Sequence, residues 1–212
     1  PSTERGSGRT RIFHIFNSLA FARKEVVELT VWDWTGDMRE ICVKDYKGNP
    51  LAFQLVDAAL QQYWDHKYFR ILVDATVPAF GYTTVVLSQK APTTYRAYRQ
   101  LNERVSKFYD DMVLQNDKIR VVISAKSARV TSISKVGGGV NLIKDNASAG
   151  LVLLETETKT SNAWQIGRTI KEISVDECLE LKLVCDDELR QSVTARYKIE
   201  DSTAEVTYTL DK

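Results

Sequence analysis

The most constraining feature of this chain is a recurrence of short runs rich in Val, Ile, Thr, Tyr and Phe, each soon interrupted by Gly, Asn, Asp or Pro. Branched and aromatic side chains suit a pleated surface, and the interruptions supply turns, so the pattern predicts strands joined by tight connections. Before Gln89 the runs are Arg11 to Phe16, Glu25 to Trp32, Ile41 to Val43, Leu51 to Val56, Tyr68 to Val73 and Thr83 to Leu87. With their turns they predict about seven strands, the number of a small β-sandwich. From Met112 the pattern resumes in Met112 to Leu114, Ile119 to Ser124, Val130 to Ser134, Leu151 to Glu155, Thr169 to Val175, Cys178 to Cys185, Ser192 to Ile199 and Glu205 to Leu210. Leu179, Leu181 and Leu183 alternate with Glu180, Lys182 and Val184, a pattern read as an antiparallel sheet with one solvated face.

Between these two regions the period changes. Tyr95, Tyr98, Leu101, Val105, Phe108 and Met112 recur every three or four residues among polar neighbours, which fits one amphipathic helix or a partly ordered tether. The expected organisation is therefore a small sandwich over residues 1–90, a linker over 91–111 and a second β region over 112–212. The last strand, ending at Leu210, is expected to leave an open edge, as a truncated sheet would.

Composition narrows the functions. Apolar residues make up 43% of the chain, enough for a real core, and 29 Lys and Arg offset 28 Asp and Glu without clustering. Such balance excludes the basic face that a nucleic-acid partner requires. No apolar run approaches the ~20 residues of a membrane-spanning helix, and the polar, basic start resembles no export signal, so a cytoplasmic protein with no membrane partner is expected. The start without Met reads as a segment excised from a longer chain.

Cys42, Cys178 and Cys185 are too scattered for a disulfide framework or a zinc chelate, and they are expected to be buried reduced thiols. His14 and His66 are the only histidines, both distant from the cysteines, so no metal is expected to bind this chain. Adjacent strand residues face opposite ways, which places Asp65 and His66 poorly for joint acid–base chemistry. Gly137, Gly138 and Gly139 open no helix, so they form a turn rather than a phosphate cradle.

Several residues carry two readings. In Val77-Pro78-Ala79-Phe80-Gly81-Tyr82, Pro78 ends ladder donation and Gly81 permits positive φ, which predicts a structural corner, with sugar contact by Tyr82 as the alternative. Trp32 and Trp34 alternate along a strand and are expected on one side of it, serving core or interdomain packing or, with Trp64, an aromatic platform for sugar. Trp164 lies in the polar stretch Thr156 to Arg168. An indole there either stacks on a sugar while Asn162 and Gln165 bond hydroxyls, or folds back onto the sandwich.

Four blocks in order resemble glycoside hydrolase family 38, the α-mannosidases. They are I-F-N-S-L-A-F-A-R-K-E-V-V-E-L-T-V at Ile15 to Val31, F-R-I-L-V-D-A-T-V-P-A-F-G-Y-T-T-V at Phe69 to Val85, V-L-Q-N-D-K-I-R-V-V-I at Val113 to Ile123 with V-T-S-I-S-K at Val130 to Lys135, and S-N-A-W-Q-I-G-R at Ser161 to Arg168. Asn162 and Gln165 depart from acidic residues common around the family's Ala-Trp, and Ser127-Ala128 stands where Gly often turns the chain.

The resemblance implies an immunoglobulin-like sandwich followed by the opening strands of a larger antiparallel supersandwich. It also implies retaining hydrolysis of terminal α-linked mannose with zinc and an Asp nucleophile, all carried by an N-terminal α/β domain that this chain lacks. On that reading the chain has no catalytic residues, docks on the catalytic domain, meets mannose-containing oligosaccharide only through the full enzyme and touches it through Trp164, Asn162 and Gln165. The resemblance leaves homo-oligomerisation open. The competing functions are an autonomous carbohydrate-binding β module and a structural sandwich pair for protein contacts.

Overall fold

The computed structural model describes residues 2–5, 8–38, 40–89, 110–144, 147–157 and 166–212. Among them every regular element is a strand and every pairing is antiparallel. The expected linker helix lies outside the described residues. The chain divides into two compact units, the first holding the strands before residue 90 and the second those after residue 110.

The first unit contains β1 (Ser2–Arg5), β2 (Thr10–Asn17), β3 (Arg23–Trp32), β4 (Ile41–Asp45), β5 (Phe53–Leu55), β6 (Gln61–Tyr63), β7 (His66–Val77) and β8 (Gly81–Gln89). One sheet runs β1-β2-β8-β4 and the other β3-β7-β5, with β6 also paired to β7. Alternation puts Phe13 and Ile15, Leu29 and Val31, Ile41 and Val43, and Val85 and Leu87 inward, where they join Phe69, Ile71, Val73, Ala75 and Val77 in one buried cluster. Two sheets sharing one apolar interior make a β-sandwich.

The second unit holds β9 (Met112–Gln115), β10 (Ile119–Ile123), β11 (Val130–Lys135), β12 (Val152–Thr156), β13 (Thr169–Ser174), β14 (Cys178–Asp186), β15 (Arg190–Ile199) and β16 (Ser202–Asp211). Three sheets result, β11-β10-β9, β12-β13 and β14-β15-β16. Leu114, Ile123, Val130, Leu181, Val193, Ala195 and Tyr197 form a shared core, against which Leu153 of β12 also packs. The Tyr197 hydroxyl donates to the Ala128 carbonyl at 2.7 Å and lies 3.1 Å from the Tyr208 hydroxyl. Burial pushes this phenol well above its ordinary pKa.

Several local expectations are corrected. Leu179 does not share a face with Leu181: a bulge between Cys178 and Glu180 shifts the register and turns Leu179 to solvent. At the Pro78 corner the positive φ belongs to Phe80 (46°) rather than Gly81. Glycine is needed at 81 for space, since a Cβ there would come within 2.9 Å of the Pro78 ring. The three cysteines are free but only half-buried. Strands β1 and β6 escaped the sequence reading because Ser2–Arg5 has no apolar residue and Gln61–Tyr63 has only one ring; each exists by backbone pairing to a stronger neighbour.

Candidate functional site

Two places carry the aromatic and polar residues singled out in the sequence. The first is the β12–β13 hairpin of the second unit. Its strands pair from Val152 opposite Ser174 to Thr156 opposite Thr169, and the ladder continues into a bond from the Glu157 amide to the Arg168 carbonyl at 3.0 Å. The Arg168 guanidinium also donates to the Glu157 carboxylate at 2.9 Å. Gly167 sits so close to the opposite strand that a Cβ would overlap the Glu157 carbonyl oxygen. Residues 158–165 connect these pinned ends; Asn162, Trp164 and Gln165 are among them and lie outside the described residues.

The second place is the outer face of the β3-β7-β6 sheet in the first unit. Register alone assembles it, because Trp32 lies opposite Tyr68, Gln61 opposite Tyr68 and Tyr63 opposite His66. Cross-strand partners share a face, so these side chains emerge together. The Trp32 ring centroid is 4.8 Å from Tyr68, 6.3 Å from Tyr63 and 6.4 Å from His66. The latter two rings stand steeply to the indole, at 66° and 88°.

The expectation that Trp32 and Trp34 face one side is overturned. Asp33 adopts φ 47°, which ends the strand and reverses the alternation. Trp34 is consequently buried, 6% exposed, with Phe69 at 6.4 Å, the Arg11 guanidinium 5.7 Å over its ring and Gly36 against its indole nitrogen. It is a core residue. Trp64, by contrast, sits at the tip of the β6–β7 hairpin with φ 54° and is 81% exposed.

The turn at Asp33 is built rather than incidental. Arg11, itself buried, donates to the carbonyls of Trp32 at 3.1 Å and Asp33 at 3.0 Å, which fixes the end of β3 from below. The Asp33 amide bonds the Lys67 carbonyl at 2.7 Å. Its carboxylate accepts from His66 Nδ1 at 2.8 Å and from the Lys67 amide at 3.1 Å. The His66 hydrogen bond, then the Lys67 amide, hold the Asp33 carboxyl below its ordinary pKa. Sequence reasoning tested His66 only against its neighbour Asp65. The true partner is 33 residues away, and no local signal could have identified it.

An ionised carboxylate only accepts, so Nδ1 is the donor and Nε2 points elsewhere as the open ring nitrogen. His14, on the outer face of β2, shares a hydrogen bond with the Thr84 hydroxyl at 3.0 Å and meets Tyr82 edge-on. Among the described residues no three His, Cys, Asp or Glu side chains converge. The two histidines lie on different sheets with different partners, so these residues do not fit a zinc site.

A third surface feature closes one end of the first sandwich. Asn17 is 7% exposed and donates through its amide to the carbonyls of Phe21 at 2.8 Å and Pro78 at 3.0 Å, while its oxygen accepts from the Leu19 amide at 3.0 Å. The Phe80 amide bonds the Leu19 carbonyl at 2.9 Å. The two loops so tied and the adjoining ends of β2 and β8 present Phe16, Leu19, Phe21, Phe80 and Tyr82 to solvent.

Residues 114–212 match the family model described as the glycosyl hydrolases family 38 C-terminal domain. No curated protein matches the chain. The matched stretch begins at the core residue Leu114 of β9 and takes in β10 to β16, including the hairpin that carries the Ala-Trp segment. Residues 114–212, just under half of the chain, are thus similar to the C-terminal domain of the family 38 glycosyl hydrolases.

Proposed function

We propose that this chain is a non-catalytic part of an α-mannosidase, and that the whole protein hydrolyses terminal α-linked mannose. The observation that carries the proposal is the match of residues 114–212 to the family's C-terminal domain. The retaining reaction and its zinc belong, on this reading, to an α/β domain outside this chain. Among the described carboxylates, Asp57 is paired with Arg70 and Asp211 with Arg190. Asp33 likewise serves its turn and His66.

The role left to these residues is to support the catalytic domain. Phe16, Phe21, Phe80 and Tyr82 form apolar surface of the kind a neighbouring domain covers. The segment Asn162 to Gln165 is the one that would reach mannoside, with Trp164 stacking on the sugar ring. Its anchoring by Glu157, Gly167 and Arg168 supports this, because a loop that positions substrate needs fixed ends.

The test is an aryl α-mannosidase assay of this chain and of the full-length enzyme, with and without added zinc. Only the full-length enzyme should turn over. There, Trp164→Ala should lower kcat/KM by roughly 5- to 150-fold, the loss of about 1 to 3 kcal/mol of transition-state binding, at unchanged Tm. Zinc-dependent turnover by this chain would refute the non-catalytic role. An unchanged kcat/KM would remove Trp164 from the substrate contacts.

A further inference from the structure

We propose that Arg129 is the positioning residue of the β12–β13 hairpin: its guanidinium holds both feet of the hairpin and so sets where the connection over residues 158–165 is presented. On the reading that Trp164 reaches mannoside, on which this step rests, Arg129 then governs how the substrate is met.

The hairpin is weakly held by its own burial. β12 and β13 pair only with each other. Every residue of β13 is exposed, and Leu153 is the residue of β12 that packs into the core. An element with so few buried apolar contacts tilts easily, so its direction is set where the two strands leave the core.

Arg129 sits at that point. Its Nη1 donates to the Leu151 carbonyl at 2.9 Å, just before β12, and lies 3.5 Å from the Asp176 carboxylate, just after β13. The Val175 amide donates to the same Leu151 carbonyl at 3.1 Å, so one oxygen joins the two feet to the guanidinium. Nε donates to the Ser148 hydroxyl at 2.8 Å and Nη2 to the Ser148 carbonyl at 3.1 Å, which fixes the approach to β12 as well. Gly150 lies against the side chain, where a Cβ would come within 2.9 Å of Arg129 Cγ.

The arginine is itself rooted in the core. Its carbonyl accepts from the Ser124 amide at 2.9 Å, and the carbonyl of the preceding Ala128 is the one that takes the Tyr197 hydroxyl. The guanidinium is only 7% exposed, and Asp176, its carboxylate partner among the described residues, is 60% exposed. Such a pair compensates poorly for taking a full charge out of water. Methionine would fill the space without that cost. What arginine adds is direction, through a planar fork whose donors address Ser148, Leu151 and Asp176 together.

The test uses Arg129→Met and, independently, Gly150→Ala, which keeps the charge but crowds the Arg129 side chain. Each is made in this chain and in the full-length enzyme, with and without Trp164→Ala. In this chain, amide residual dipolar couplings of Val152–Thr156 and Thr169–Ser174 should change while those of β14 to β16 stay as they are. In the enzyme, each variant should lower kcat/KM for an aryl α-mannoside about tenfold, but less than about twofold once residue 164 is alanine, because both changes then remove the same contact. A merely structural role would cost the same factor in both backgrounds. Unchanged hairpin couplings, equal losses in both backgrounds, or full activity of the Arg129→Met and Gly150→Ala enzymes beside an impaired Trp164→Ala enzyme would each overturn the proposal. If Trp164→Ala itself leaves kcat/KM unchanged, the mannoside reading fails first and takes the substrate role of Arg129 with it. Circular dichroism identifies the folded variants, and if Arg129→Met does not fold, Gly150→Ala decides.

Discussion

Asn17 offers the sharpest test of how the first sandwich is closed. Its nearly buried amide satisfies the carbonyls of Phe21 and Pro78 and the amide of Leu19, three backbone groups from two loops. Asn17→Ala removes every one of these partners at once. A buried polar group left unpaired costs about 1 to 3 kcal/mol, and loop groups recover part of that from water, so the expected loss is roughly 2 to 4 kcal/mol. Urea unfolding followed by tryptophan fluorescence is the suitable assay, because buried Trp34 reports on the same unit. The midpoint should fall with the m-value unchanged.

Asn17→Asp separates the bonds by sign. The carboxylate can still accept from Leu19 but turns an oxygen toward two carbonyls that had received N–H donors. At neutral pH it should therefore be no more stable than the alanine variant. A loss under about 1 kcal/mol for alanine, or an aspartate variant as stable as the parent, would refute this account of the loop closure.

Three further outcomes are expected. Tyr197→Phe, which strips the Ala128 carbonyl and the Tyr208 hydroxyl of a partner, should destabilise the second unit by about 1 to 2 kcal/mol, measurable by urea unfolding followed in the far ultraviolet. Trp64→Gly should leave stability unchanged or raise it by up to about 1 kcal/mol in the same assay, because it relieves a positive φ at an exposed tip. The Asp33 carboxyl titrates below its ordinary value of 3.8, so its bond to His66 stabilises the fold above that pH and is lost as pH falls through the lower folded-state pKa. A carboxyl-carbon titration by NMR checks this, and a midpoint at or above 3.8 would contradict the geometry.

The strand pattern was legible because alternation is a local signal. Arg11 to Phe16, Glu25 to Trp32 and Ser192 to Ile199 each fall within the strands that form. What failed depended on partners distant in sequence or on single backbone angles. Trp34 looked like a companion of Trp32 until one positive φ at Asp33 turned it inward, and Leu179 lost its place to a bulge imposed by β15. Asp33 and His66 could not be paired in advance because only the β3–β7 register brings them together. The aromatic cluster around Trp32 was visible in part as composition, but Tyr63 and Tyr68 join it only through that register and that of β6 on β7.

The base of the β12–β13 hairpin bears on which substitutions this chain can tolerate. Gly167 is held to glycine by the Glu157 carbonyl, and the Arg168 to Glu157 bonds close the ladder beneath the connection. A side chain at residue 167 would collide with the opposite backbone and open the end of the pairing of Val152–Thr156 with Thr169–Ser174. The base of the hairpin is thus set by one glycine and one ion pair, while Leu153 on the same hairpin packs into the core of the second unit.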